Sequence, residues 1–208
     1  MTDYLIDGDK GNPLFIFAHG AGAGMDHTFM KAVAKGLAEK GIQVVRFNFP
    51  YMVKRAEDGK KRPPDRAPKL LEAYQTVIEE HCKTGAVVIG GKSMGGRMAS
   101  LLAGEDNVAA VACLGFPFHP PGKPENYKGA HLVELEKPCL IVQGERDTFG
   151  KKEEFEQFEL SFAVQVEFIP DGDHSFKPRK RSGYGEESNI ALAVEHLVKF
   201  IREVYDGQ

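Results

Sequence analysis

Ala86-Val87-Val88-Ile89-Gly90-Gly91-Lys92-Ser93-Met94-Gly95-Gly96-Arg97-Met98-Ala99-Ser100-Leu101-Leu102 is the stretch that decides how the chain folds. It opens as a short β-branched run, passes through Gly-x-Ser-x-Gly and continues with helical spacing. A buried strand running into this turn and then a helix is the setting a nucleophile elbow needs. The requirement is steric: lifting a hydroxyl out of a sharp strand-to-helix turn strains the backbone and leaves no room for bulk on either side. Gly91 and Gly95 meet that demand, and Gly90 and Gly96 let strand and helix approach each other. A helix starting here also points free N–H groups at the reaction site. The pattern is short and also occurs in ordinary glycine-rich turns, so its flanking strand and helix carry the reading.

Outward from this turn, strand-like apolar runs alternate with helix-like ones, which argues for a mostly parallel sheet with helices on both faces. Tyr4-Leu5-Ile6 is a short first strand, and the fully apolar Leu14–Ala18 run is a central one. A helix follows Asp26 as N-cap, with Phe29, Val33 and Leu37 on one stripe, and stops at Gly41. Ile42 to Phe49 is a strand closed by Pro50, and residues 51–68 read as an irregular, basic surface loop. Leu70 or Leu71, Tyr74, Val77 and Ile78 mark the inner face of the next helix. After the elbow come a strand over 108–116, a long proline-containing loop over 117–137 and a strand over 138–142 that leads to Gly144-Glu145-Arg146-Asp147. A helix carrying Phe155, Phe158 and Phe162 is expected next, then an alternating edge strand, Val164 to Ile169. The final helix spaces Ile190, Val194, Leu197, Ile201 and Val204. No internal repeat stands out, so residues 1–208 read as one α/β domain without a large lid domain.

Composition narrows the function. A hydrophobic share of 42% suits a packed core, and a formal net charge of −3 gives no reason to expect nucleic acid. Cys82, Cys113 and Cys139 are few and odd in number, which fits a reducing cytoplasm better than a disulfide framework. The N-terminus has neither a basic start nor a long apolar core, which argues against a signal peptide, and no apolar run is long enough to span a bilayer. A cytoplasmic location with no membrane contact is the expectation.

Ser93, Asp147 and His174 each follow a strand, and parallel strands deliver their ends to one edge of the sheet, where ligands bind. The order Ser…Asp…His is that of the α/β-hydrolase arrangement. The chemistry needs these types. A serine hydroxyl becomes nucleophilic when a histidine takes its proton, and a carboxylate holds the imidazole in the useful tautomer. The tetrahedral oxyanion needs backbone donors. Met94 N–H is the first, and Ala21 N–H in His19-Gly20-Ala21-Gly22-Ala23-Gly24 the second, with Gly22 in reserve. Asp147 could instead be a turn aspartate, with Asp171 and Asp173 as fallback acids that otherwise shape their own turn. His19 could orient the glycine-rich loop. No Cys or His pair has metal-ligand spacing, so no metal or cofactor is expected. The basic residues Lys54, Arg55, Lys60, Lys61 and Arg62, and Lys177, Arg179, Lys180 and Arg181, read first as solvated surface. The sharper reading places both runs at the rim of the site, attracting an anionic substrate.

Longer segments carry a resemblance. Phe17 to Gly24, Arg46-Phe47-Asn48-Phe49-Pro50, Gly90 to Ser100, Gly115 to Pro124 and Gly172-Asp173-His174-Ser175-Phe176 resemble a family of small α/β hydrolases related to dienelactone hydrolases. Its eukaryotic relatives include a testis-expressed hydrolase-like protein and a subunit of a nuclear histone acetyltransferase complex. The resemblance implies the α/β-hydrolase fold with Ser93 as nucleophile, Asp147 as acid and His174 as base. It differs from dienelactone hydrolases in having serine rather than cysteine as nucleophile, and it implies that the proline-rich 117–124 segment walls the substrate cleft. The expected function is a serine hydrolase of a small-molecule ester or thioester. The alternatives are a peptide- or amide-cleaving relative and a catalytically silent interaction module.

Overall fold

The computed structural model describes residues 3–11 and 13–207. Strands β1 (Tyr4–Asp7), β2 (Leu14–Ala18), β3 (Gln43–Phe47), β4 (Val87–Lys92), β5 (Val108–Leu114), β6 (Cys139–Gly144) and β7 (Val164–Ile169) alternate with helices α1 (Thr28–Glu39), α2 (Pro50–Asp58), α3 (Ala67–His81), α4 (Met94–Leu101) and α5 (Glu186–Asp206). Among the described residues the strands form one sheet in the order β1-β3-β2-β4-β5-β6-β7. Only β1 runs antiparallel to its neighbour, and the other pairings are parallel.

The sheet separates two cores by the period-two alternation of its strands. Ile16, Val45, Ile89, Val111 and Ile141 pack with Tyr51 of α2, Leu70 and Tyr74 of α3 and Met98 of α4. Their neighbours Phe15, Val44, Val88, Ala110 and Leu140 pack on the other side with Val33 and Leu37 of α1 and Leu197 and Ile201 of α5. Burying each large aliphatic side chain contributes roughly 1.5–3 kcal/mol. Because both faces are covered, β4 and β6 are buried along their whole length. This explains why the central strands read as continuous apolar runs, while β7, at the sheet edge, alternates. Helices α1 and α5 cross closely at Gly36, where a Cβ would lie 2.9 Å from a Val194 methyl.

The structure corrects several local expectations. The N-cap of α1 is His27, whose Nδ1 accepts from Phe29 N–H at 3.3 Å, and not Asp26. Pro50 opens a helix instead of only closing a strand, so the first half of the expected 51–68 loop is α2. The strand before it ends at Phe47, and β5 ends at Leu114. Leu70 is the buried member of its pair. The aromatic run after β6 forms one short 3-10 helix, Lys152–Gln157. Phe155 and Phe158 close on Phe118 at ring distances of 5.0 and 4.3 Å, and Phe162 is 98% exposed. The 117–137 connection is a loop as read, with one 3-10 turn at Ala130–Glu134. Cys113 and Cys139 are free and buried. Among the described residues no helix is long and apolar enough to cross a membrane.

Tyr74 ties α3 to the elbow strand. Its hydroxyl bonds the carbonyls of Gly90 (2.6 Å) and Ile16 (3.0 Å) and accepts from Gly90 N–H at 3.0 Å. In Tyr74→Phe these buried groups lose their partner, which costs about 1–3 kcal/mol. The urea midpoint is expected to fall while the m-value stays unchanged.

Candidate active site

The turn between β4 and α4 has the geometry its glycines require. Ser93 occupies the N-cap position with φ 51° and ψ −116°. A Cβ at Gly91 would lie 2.4 Å from the Gly95 carbonyl carbon and 2.7 Å from the Ala18 oxygen, and one at Gly95 would lie 2.5 Å from the His19 oxygen. Two backbones meet here with no space for a side chain. Met94 is the first residue of α4, where a helix N–H lacks an intrahelical acceptor.

Ser93, His174 and Asp147 come together at the carboxyl edge of the sheet. His174 Nε2 lies 2.9 Å from Ser93 Oγ, and Nδ1 lies 2.8 Å from Asp147 Oδ2. A carboxylate only accepts, so the ring proton sits on Nδ1 and Nε2 is free to accept from the serine hydroxyl. Burial lowers the His174 pKa, the bond to Asp147 raises it, and the charge of Lys92 lowers it again. The Phe149 ring stacks on the imidazole with centroids 4.2 Å apart.

Asp147 is fully buried and touches both the histidine and its own turn. Its Oδ1 accepts from Phe149 N–H at 2.9 Å, as a turn aspartate does, while Oδ2 also accepts from Gln143 Nε2 at 3.1 Å. Gln143, itself fully buried, further accepts from Phe116 N–H at 2.8 Å and donates to the Gly150 carbonyl at 3.1 Å. The fallback acids are engaged elsewhere. Asp171 pairs with Arg179 and Arg146, and Asp173 caps its own turn through Ser175 and Lys177 N–H.

The loop after β2 is held from below. His19 is buried, donates from Nδ1 to the Gly20 carbonyl at 2.7 Å and accepts from Phe49 N–H at 3.0 Å. Burial pushes its pKa down to about 4, so it is neutral. From α2, the Tyr51 hydroxyl reaches the Ala21 carbonyl at 2.9 Å, and Arg55 donates to the Gly22 carbonyl at 3.0 Å. Gln143, Tyr51 and Arg55 are supports that motif reading passed over. Gln143 left one trace, an amide inside the apolar run before Gly144.

Ser93 and His174 open onto a cavity of about 290 Å³, walled by residues 20–23, His27, Phe29, Met30, Lys92, Phe149 and Ser175. Neither basic run lines it. Arg62 pairs with Asp58, Arg179 with Asp171, and Arg55 reaches the site only through the Gly22 carbonyl. Residues 117–124 do not line it either, contrary to the cleft-wall expectation; Phe118 is buried in the aromatic cluster instead. A larger recess, about 900 Å³, lies at the opposite sheet edge around Lys137, Phe162, Val164 and Phe200 and is lined by no serine, cysteine or histidine. A second Ser–His contact exists: Ser100 Oγ lies 2.7 Å from His131 Nε2 and 2.7 Å from the Arg97 carbonyl.

Residues 11–202 match a family described as an alpha/beta hydrolase domain, and the chain belongs to that family. Solved structures share the fold at low identity. An alpha-beta serine hydrolase homologue from Coxiella burnetii is 23% identical over 94% of this chain and 89% of its own, with a TM-score of 0.69. Est1E from Butyrivibrio proteoclasticus, solved with ferulic acid, is 20% identical over 96% and 95%, with a TM-score of 0.69. A dienelactone hydrolase from Anabaena variabilis is 17% identical over 96% and 90%, with a TM-score of 0.72.

Two histidines, buried His19 and half-buried His131, set an acid limit on stability. Burial holds His19 and His131 each at about 4, against an ordinary value of 6.5. The unfolded chain therefore binds more protons between those values. Their contribution is complete above pH 6.5 and is lost as pH falls towards 4. For His19 the loss is on the order of 3 kcal/mol across that window. The fall in urea midpoint between pH 6.5 and 4.5 is expected to be shallower in His19→Asn than in the parent, whatever the absolute stability of the variant.

Proposed function

We propose that this chain is a serine hydrolase that cleaves a small ester or thioester through an acyl-enzyme on Ser93. The observation that carries the reading is the hydrogen-bond chain Ser93–His174–Asp147, with its serine end on the wall of a cavity. In the first step His174 Nε2 takes the Ser93 proton as Oγ bonds to the carbonyl carbon. Met94 N–H at the start of α4 and Ala21 N–H on the loop held by Tyr51 stabilise the oxyanion. Asp147 stabilises the imidazolium, which then gives its proton to the departing alcohol or thiol. Water repeats the sequence to release the acid. A cavity of about 290 Å³ with Phe29, Met30 and Phe149 in its wall suits a short, apolar acyl group. An anionic group on the substrate would meet one cation there, Lys92.

Ser100 is a weaker nucleophile candidate. It is 2% exposed. Its hydroxyl proton goes to the Arg97 carbonyl, which leaves His131 to donate to it instead of accepting.

Fluorophosphonate labelling with mass mapping tests the assignment. Label is expected on Ser93, absent from Ser93→Ala and His174→Ala, and retained in Ser100→Ala. Ser93→Ala should lower hydrolysis of short p-nitrophenyl esters by roughly four to six orders of magnitude with the melting temperature nearly unchanged. Folded protein that takes no label, or takes it on Ser100, would refute the reading and favour a silent binding module or the second serine.

A further inference from the structure

Besides His27, which caps α1, the cavity wall holds one ionisable group that the hydrogen-bond chain leaves unused. Lys92 ends β4, one residue before Ser93, and is only 8% exposed. Its Nζ donates to the main-chain carbonyl of His174 and lies 5.4 Å from the centroid of the Phe29 ring. The neighbouring backbone leaves room for it. At Gly115, where φ is +65°, a Cβ would stand 2.9 Å from Lys92 Nζ and 2.9 Å from the His174 oxygen. An apolar side chain could fill the same space without the desolvation that a buried ammonium suffers.

We propose that Lys92 is a positioning residue for the general base: its ammonium clamps the His174 carbonyl and keeps a positive charge against the imidazole. The inference rests on the reading of His174 as base. Three contacts from three directions then fix that ring: the Lys92 clamp on its own backbone, Asp147 on Nδ1 and Phe149 on its face. The charged groups acting on the imidazole are Asp147, Asp173 and Lys92, and those acting on Lys92 are Asp147 and Asp173. The two carboxylates favour the protonated ring, and Lys92 opposes them. Burial is the larger influence lowering the ring's pKa, and Lys92 adds to it; together they keep Nε2 unprotonated and able to accept at neutral pH and make the imidazolium a readier donor to the leaving group. Burial brings Lys92 itself down to about 8, so it is mostly charged at pH 7.

Lys92→Met and Lys92→Arg separate this from a packing role. His174 is followed by imidazole NMR titration, which needs no turnover, and kcat/KM for a neutral short ester is followed against pH. In Lys92→Met the imidazole should titrate at higher pH than in the parent. The acid limb of kcat/KM should move up with it, giving a loss of roughly threefold to tenfold at pH 6. Lys92→Arg, which keeps the charge, should stay near the parent in both. An imidazole titration that is unmoved or lower in Lys92→Met overturns the proposal, as does a loss confined to KM for anionic esters. If neither variant folds, the parent decides: the ζ-nitrogen resonance of Lys92 should respond to protonation of His174, and a signal that ignores that step overturns the proposal. Absence of fluorophosphonate label on Ser93 would instead defeat the underlying hydrolase reading, whatever the titrations give.

Discussion

The site is built on a close approach of backbones. Where β4 turns into α4, the carbonyls of Ala18 and His19 pass within collision distance of any Cβ placed at Gly91 or Gly95. Ala18 is also the register partner of Gly91 in the β2–β4 ladder. One contact therefore sets two things: the strained dihedrals of Ser93, and the point at which the chain leaves β2 to form the 20–24 loop. A strained residue of this kind costs on the order of 1–3 kcal/mol and persists only when its surroundings over-determine it. Here they do, because β4 is buried on both faces and Tyr74 grips the Gly90 backbone beneath the turn.

Buried polar groups complete the arrangement. His19, Gln143, Asp147 and Lys92 sit in the interior around this edge, and each has a partner. Their partners are largely main-chain atoms of the very loops that meet there, so the polar groups act as struts between loops. An unpaired polar group in such surroundings would be costly, which makes each strut specific to one loop geometry.

Much of this was legible in the sequence, for identifiable reasons. The central strands announced themselves because burial on both faces demands unbroken apolar runs, and the elbow because its glycines have a steric cause. Ser93, Asp147 and His174 could be paired because parallel strands share an edge. Helix α2 was missed although its signals were present: Pro50 at the first helical position and Gly59 beyond the end, at φ 69°. Pro50 also terminates a strand, and charged residues diluted the apolar stripe. Phe155 and Phe158 misled in the opposite direction. Their spacing fits a helix, yet they cluster with Phe118, which lies far away in sequence. Lys92 and Gln143 carried no periodic signal, since their roles depend on atoms from other loops.

Asp147 divides its oxygens without overlap. Oδ1 belongs to the amide of Phe149, and Oδ2 to His174 and Gln143. The ring of Phe149 in turn stacks on the imidazole at an interplanar angle of 29° and forms part of the cavity wall. Rotating the carboxylate would therefore tilt the imidazole and loosen the panel resting on it together. The imidazole and this part of the cavity wall are thus joined like a single hinged plate, with Asp147 as its pin.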